Sequence, residues 1–317
     1  MIDFRYHIIS IIAVLLALSI GIITGSAFLG GPLLQQLKNR VDSLERNNVE
    51  LLDRVRESER EAAHQESALS AFESTLTNGA LSGRRVVMWV VGETEADTVD
   101  AARASLEESD AEIATTVVAT SRFDFDDLAA REDLTTRLDL PDVTAADLRV
   151  DIAEILGARA GTMAAQGEVE ATVGGDGVQA RLQEVVEPLR DMGYLEVEVT
   201  EGDPVVPAQS SLVVVAGSAD EAPYDVGPFV TRLASSFAER GNAAILVEGR
   251  ESAWGVVEAL RADGDARESV SSVDDVDTAA GRISLPLALE RDAEGPAGHY
   301  GDGSDSDSPV PQPSPGG

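Results

Sequence analysis

Side chains that could do chemistry are few and widely spaced in this 317-residue chain. The three histidines, His7, His64 and His299, lie in three distant regions, the four methionines do not cluster, and there is no cysteine. A serine or cysteine nucleophile needs a base within hydrogen-bond reach, and soft ions such as Cu(I) prefer thiolate or thioether ligands. We therefore predict no catalytic residue, no metal site and no cofactor, and we interpret the chain as a protein that is not an enzyme.

Four short stretches resemble ligand loops without completing a motif. Residues 92–95 (Gly-Glu-Thr-Glu) follow a predicted strand, but the stretch has no G-x-G-x-x-G and its carboxylates would repel a phosphate. Residues 174–177 (Gly-Gly-Asp-Gly) lack the lysine and hydroxyl of a phosphate loop and favour a flexible turn. Ser218 follows a strand without a G-x-S-x-G elbow, and the acidic residues 302–307 lack the spacing of a calcium loop. None of the four predicts a ligand.

The elements that would position such residues alternate between strand and helix from residue 84 onward. Apolar runs rich in β-branched residues predict strands at 86–92, 113–120, 194–200, 212–216 and 243–248, and helical patterns lie at 95–109, 178–192, 227–240 and 252–262. Residues 121–176 alternate short helical patterns with loops. This order predicts an α/β fold with a mostly parallel sheet at residues 84–290, none of whose residues is a histidine.

A long apolar segment opens the chain. Residues 8–29 are almost wholly apolar, and in a helix about 22 residues cover about 33 Å, close to the roughly 30 Å core of a bilayer. We predict an uncleaved transmembrane anchor, the alternative being a secretory signal cut near Gly25-Ser26-Ala27. Arg5 precedes this segment and acidic sequence follows it. This predicts a cytoplasmic stub at residues 1–7 and an extracytoplasmic main domain in a single-pass protein of the cell membrane.

A heptad pattern follows at residues 30–78. Apolar residues recur at positions a and d through Val55, and a lone Asn48 at position a together with opposite charges at g and e favours a parallel homodimeric coiled coil. A stripe of small residues in the apolar segment would let two membrane helices approach closely. The predicted oligomerisation residues are Ala17, Gly21, Gly25, Leu37, Val41, Leu44, Asn48, Leu51 and Val55. The alternative is an amphipathic helix folded back on its own globular domain.

Acidic residues dominate the composition. The formal net charge is −33, and residues 84–317 hold 47 of the 57 acidic side chains but 17 of the 24 basic ones. Nucleic acid is therefore not an expected partner, because binding it needs a basic surface. We interpret the acidity as a solvated surface that keeps the protein soluble. Residues 291–317, acidic and then rich in proline, predict a disordered tail.

The opening sequence resembles a known family. The stretch DFRYHIISIIAVLLALSIGIITGS, followed by LLQQLKNRVDSLERNNVELLDRV, is similar to the start of the actinobacterial MctB proteins, often labelled copper transporters. This resemblance implies an envelope protein with one N-terminal span, a coiled coil, an extracytoplasmic domain and a role in copper transport or copper homeostasis. It also implies, through the related SteB proteins, a role in cell separation and wall remodelling with a membrane partner. No copper-binding or catalytic residue is carried over.

Two functional hypotheses follow. In the first, favoured by the residues, the protein is a dimeric, membrane-anchored scaffold whose outer domain engages an envelope partner, such as a SteA-like membrane protein or a wall hydrolase. In the second, implied by the resemblance, it is a component of copper transport or copper homeostasis. Copper enters as a partner only through the resemblance.

Overall fold

The computed structural model describes residues 4–166, 168–200, 204–292, 295–303 and 305–312. The chain divides into two compact units, Met1–Gln65 and Glu66–Gly317. The first unit consists of most of helix α1 (Phe4–Thr77). The last three turns of α1 belong to the second unit, which also contains the sheet. The predicted segments at 8–29 and 30–78 therefore lie almost entirely on one helix.

The second unit is built on a seven-stranded sheet. Its strands are β1 (Arg85–Val91), β2 (Glu112–Ala119), β3 (Leu195–Val199), β4 (Ser210–Val215), β5 (Ala244–Val247), β6 (Ser271–Val273) and β7 (His299–Tyr300). Their spatial order is β3-β2-β1-β4-β5-β6-β7. Every neighbouring pair is parallel except β2 with β3, which is antiparallel. The predicted α/β fold with a mostly parallel sheet is confirmed.

Helices cover both faces of this sheet. They are α2 (Ala96–Glu108), α3 (Leu128–Leu138), α4 (Ala145–Ala164), α5 (Glu168–Asp191), α6 (Val226–Ala238), α7 (Val256–Ala262), α8 (Gly264–Ser269) and α9 (Ala279–Asp292), with a 3₁₀ turn at Ser121–Asp124. The core has two parts because side chains alternate across each strand. On β1, Val87 and Trp89 pack into the part covered by α3 to α8, and Val86 and Met88 pack into the part covered by α2 and α9.

Two glycines allow close packing between α4 and α6. A Cβ at Gly161 would lie 2.7 Å from the carbonyl oxygen of Phe237, and a Cβ at Gly157 would collide with the carbonyl oxygen of Leu233. Any larger residue would push the two helix backbones apart. These glycines lie in a stretch, 121–176, where the sequence predicted only short helical patterns, yet α4 is 20 residues long.

The structure corrects several sequence predictions. Residues 174–177 lie inside α5 rather than in a flexible turn. The last elements of the fold, α8, β6, α9 and β7, were missed, and the domain boundary predicted at residue 290 falls before β7. The ordered strand at 299–300 lies within the segment predicted as a tail, while residues 313–317 of that segment lie outside the described residues. Strands of two or three residues carry too little periodicity to be recognised in a sequence.

Candidate functional site

A hydrogen bond joins the two loops at the usual ligand position of an open α/β sheet. The strand order reverses between β1 and β4, and ligands generally bind beyond the carboxyl ends of such strands. Here the backbone N–H of Glu95 donates to the carbonyl oxygen of Gly217 at 3.0 Å, which ties the two loops together. Thr98 in the first turn of α2 packs over the loop after β5, where a Cβ at Gly249 would lie 2.5 Å from its hydroxyl oxygen.

An open cleft lies further along the same edge of the sheet, at the carboxyl ends of β5 and β6. Its volume is about 400 Å³. We call it the acidic cleft, and its lining residues are Glu248, Gly249, Arg250, Ser252, Gly255, Val257, Glu258, Arg261, Asp274, Asp275, Asp302, Gly303 and Asp305. Six of these carry a carboxylate and two carry a guanidinium group, so the lining has an excess of negative charge.

Two carboxylates in the wall of the cleft are almost fully buried and only partly satisfied. Glu248 is 5% exposed; its Oε2 accepts from the backbone N–H of Val257 at 3.0 Å, while its Oε1 has no hydrogen-bond partner among the described residues. Asp275 is 1% exposed; its Oδ2 accepts from the Thr278 hydroxyl at 3.3 Å, while its Oδ1 is likewise unpartnered within the described part of the chain. Buried carboxylate oxygens without donors are costly to keep.

The environment of Asp275 changes its protonation. Burial, with the carboxylates of Asp274 and Asp302 acting in the same direction, raises the pKa of Asp275 from 3.8 to about 7, against the smaller opposing effects of Arg250 and Thr278. Burial disfavours the charged form of an acid, and neighbouring negative charges add to this. Carboxyl groups with a raised pKa occur both at functional sites and in buried structural networks, so the shift makes Asp275 a candidate only.

The two arginines of the cleft are already engaged by lining carboxylates. Arg261, 3% exposed at its side chain, contacts Asp274 Oδ2 through Nη1 at 2.6 Å and also donates to Ser272 Oγ and to the Tyr300 carbonyl oxygen. Arg250 contacts Asp302 at 2.5 Å. Each guanidinium charge is therefore compensated within the cleft.

The C-terminal segment completes the cleft, although the sequence predicted it to be part of a solvated tail. The backbone N–H groups of Asp302 and Gly303 donate to the two carboxylate oxygens of Asp274 at 2.9 and 3.1 Å. Asp307 anchors the segment further along, because its Oδ2 accepts from the backbone N–H of His299 at 3.0 Å. Backbone N–H groups therefore hold the acidic residues 302–307 in place, and amino-acid composition alone does not predict such hydrogen bonds. No signal in the sequence pairs 302–307 with β6.

His299 lies inside the α/β domain, contrary to the sequence prediction. Its Nε2 is 3.0 Å from the Arg267 carbonyl oxygen, so Nε2 carries the proton and Nδ1 accepts from the Ser272 hydroxyl at 2.9 Å. His299 is 2% exposed and Ser272 is fully buried, and burial lowers the pKa of the imidazole. A serine enclosed in this way, which also accepts from Arg261, cannot reach a substrate, so the pair is structural.

The predicted oligomerisation residues all lie on α1 and are solvent-exposed in the single chain; they are Ala17, Gly21, Gly25, Leu37, Val41, Leu44, Asn48, Leu51 and Val55. Exposed fractions of 59% for Leu37 and 67% for Leu44 are high for leucine side chains. Pairing through these residues stays a prediction.

Within the described residues, one helical segment, Phe4–Gly25, is long and apolar enough to cross a membrane, with a mean hydropathy of 2.6. This agrees with the predicted anchor in position and supports membrane association. Within the same described part of the chain, no group of three or more histidine, cysteine, aspartate or glutamate side chains is arranged to hold a metal ion.

Comparison with known proteins gives a consistent family. A curated protein from Mycobacterium tuberculosis, "Copper transporter MctB", is 27% identical over 323 aligned positions, which cover 96% of this chain and 97% of the relative. The Mycobacterium bovis protein of the same name matches equally well, and the one from Mycobacterium leprae is 28% identical over 98% of this chain and 100% of its own length. The family model described as "Copper transport outer membrane protein, MctB" matches residues 1–311. Because that match covers nearly the whole chain, this protein belongs to the MctB family.

Proposed function

We propose that this protein acts in copper handling at the cell envelope, as a component anchored by its N-terminal helix. The observation that carries the proposal is the family match over residues 1–311, together with relatives named copper transporters that align along almost their whole length. Neither the family description nor these names denote an enzyme.

The chemistry of the chain constrains how it takes part. There is no cysteine to bind Cu(I) as a thiolate, and the described residues contain a single candidate span, which cannot enclose a conduit by itself. We therefore infer that copper passes through an assembly containing further copies or another membrane protein, and that this chain contributes an anchored outer domain. The acidic outer surface would attract cations from solution without binding them tightly.

A deletion strain of the source organism tests the proposal. Removing the gene should raise cell-associated copper, measured by mass spectrometry, and should lower growth in copper-supplemented medium, while zinc and iron contents stay unchanged. Full-length protein should restore both properties, and a version that lacks residues 4–25 should not. Unchanged copper content and unchanged copper tolerance in the deletion strain would refute the proposed role.

A second candidate is a dimeric scaffold that engages an envelope partner, such as a SteA-like membrane protein or a wall hydrolase. The observation that favours it is the row of exposed apolar side chains on α1, which includes Leu37, Val41, Leu44, Leu51 and Val55. Exposed apolar rows at heptad spacing gain free energy when a second helix covers them. Dimerisation is compatible with the copper role, because an assembly needs more than one copy.

Single cysteines test the parallel pairing, since the chain has none of its own. Leu44→Cys places a thiol at position d, and a parallel dimer should form an intermolecular disulfide there under mild oxidation. Arg46→Cys, at the outward position f of the same heptad, is the matched control and should stay monomeric on a denaturing gel. Equal crosslinking of both variants, or of neither, would rule out the predicted register.

A further inference from the structure

We propose that the end of α1 that belongs to the second unit is a contact surface for a second copy of this chain. The surface consists of Leu69, Phe72 and Leu76, and we call it the apolar stripe. This inference deepens the second candidate function and rests on it, because it extends the predicted homodimer into the unit that contains the sheet. Two α/β domains are then joined at the last turns of α1.

The apolar stripe is exposed in the single chain. Leu69, Phe72 and Leu76 are 38%, 62% and 52% exposed. Within the described part of the second unit, Leu128 is the one other large apolar side chain that is exposed to this degree. Spacings of three and four residues place the three side chains of the stripe on one face of the helix. Single apolar side chains on a surface are ordinary, whereas an aligned group of them indicates an interaction site.

The protein's own domain does not cover this face, because α1 contacts α9 through a different side. The backbone N–H of Ala279 donates to Glu66 Oε1 at 2.6 Å, and Arg282 donates to the two carboxylate oxygens of Glu73 at 2.9 and 3.1 Å. Glu66 and Glu73 occupy position e of consecutive heptads, whereas the apolar stripe occupies positions a and d. This part of α1 is therefore not an amphipathic helix whose apolar face folds back on its own domain.

The heptad register identifies the occupant as a second copy. Leu69 lies two heptads after Val55 at position a, Phe72 follows at position d, and Leu76 is the next position a. Small or polar residues interrupt the pattern in between, at Ser58, Ala62 and Gln65. An unrelated partner would not require both segments to keep one register across this interruption. A parallel helix of the same sequence does require it, because each a or d residue then lies opposite its own copy.

The charges beside the apolar stripe allow two such acidic chains to approach. Positions g next to the stripe are occupied by Ala68 and Thr75, which carry no charge. At position e, the carboxylate of Glu73 is buried and bound by Arg282 of its own chain. The partner helix therefore meets an apolar face whose nearest carboxylate is already compensated.

The contact with α9 makes pairing of the apolar stripe a pairing of domains. Arg282 and Ala279, which hold the end of α1, lie on α9, and α9 packs on the sheet through Leu285 and Leu289. A second copy on the stripe therefore fixes where each sheet lies relative to the axis of the dimer. The dimer presents two copies of its outer surface at a constant spacing.

Single cysteines in the full-length protein, oxidised in membranes, test this contact. Phe72→Cys places a thiol at position d, and the same residue of the second copy should lie within disulfide distance. Ser74→Cys, at the outward position f of the same heptad, is the matched control. Both residues are exposed, so neither substitution should disturb folding. The disulfide-linked pair of chains should be at least about tenfold more abundant for Phe72→Cys than for Ser74→Cys.

Comparison with Leu44→Cys separates this inference from the dimer on which it rests. Disulfides at both positions support the extended contact. A disulfide at position 44 without one at position 72 overturns this inference and leaves the N-terminal pairing intact, whereas no disulfide at either position overturns both. A disulfide-linked product of Phe72→Cys that contains another protein, identified by mass spectrometry, also overturns it, because the occupant is then not a second copy.

A charge substitution gives a measurement that does not depend on oxidation. Phe72→Glu should weaken self-association of the full-length protein in detergent at least about tenfold, because it places two like charges opposite each other in an apolar contact. Ser74→Glu adds the same charge at position f and should associate as the parent does. The dissociation constants are measured by sedimentation equilibrium. Equal dissociation constants for the two variants would contradict the proposed surface.

Discussion

Replacing Asp275 by asparagine should change how the stability of the protein depends on pH. The folded protein holds the pKa of Asp275 at about 7, whereas the ordinary value is 3.8. Between these two values the folded chain keeps a proton that the unfolded chain has lost. Stability therefore falls as pH rises through this window, which is the reverse of the effect of a salt-bridged aspartate. Asparagine does not titrate, so the variant avoids this loss.

The size of this pH-dependent change in stability follows from the pKa shift of Asp275. A displacement of about three units corresponds to about 4 kcal/mol over the whole window. Unfolding cannot be measured in the lower part of this pH window, because the sequence pI is about 4.2 and proteins with little net charge associate. From about pH 5 to pH 7 the stability of Asp275→Asn relative to the parent should rise by about 2 kcal/mol, because Asp275 is only half titrated at its pKa. The fixed cost of a buried amide is the same at each pH and cancels from this rise.

Urea unfolding from pH 5 to 8.5, followed by tryptophan emission, measures the rise, since Trp89 on β1 is 6% exposed and reports the folded sheet. Asp292→Asn is the companion variant. Burial raises the pKa of Asp292 to about 6, so its relative gain should be smaller and complete about one pH unit earlier. A stability difference for Asp275→Asn that is constant with pH, or that shrinks as pH rises, would refute the assigned environment.

Five other substitutions test the packing by urea unfolding at neutral pH, and two of them, Gly177→Ala and Ser269→Ala, are controls. Gly157→Ala should cost at least about 2 kcal/mol by forcing α4 from α6, whereas Gly177→Ala, with open space around it in α5, should stabilise by about 0.5 to 1 kcal/mol. Ser272→Ala should cost roughly 1 to 3 kcal/mol by leaving a buried ring nitrogen without its donor, and the half-buried Ser269→Ala should stay within about 0.5 kcal/mol. Glu73→Gln should cost about 2 kcal/mol and speed hydrogen exchange at the end of α1, because it breaks a two-point arginine contact with α9. Equal losses in a variant and its control, or unchanged exchange in α1, would contradict these assignments.

Much of the fold can be predicted from local hydrophobic patterns in the sequence. The run from Val86 to Val91 is apolar at every position, and that predicts a strand buried on both faces, as β1 is. The apolar N-terminal segment is equally plain, because its length and lack of charge need no tertiary contacts to be recognised. Alternation of such strands with helices was enough to predict a mostly parallel sheet.

The candidate site is different, because tertiary structure alone brings its parts together. Nothing near Glu248 or Asp275 in the sequence marks them as buried, and the acidic residues 302–307 have the composition of a solvated tail. Asp302 and Gly303 are held because their backbone N–H groups donate to the distant Asp274 carboxylate, and Arg250 contacts the Asp302 side chain. A sequence determines hydrophobic periodicity residue by residue, whereas the burial of a charge and its hydrogen-bond partners depend on which strands become neighbours in the folded sheet.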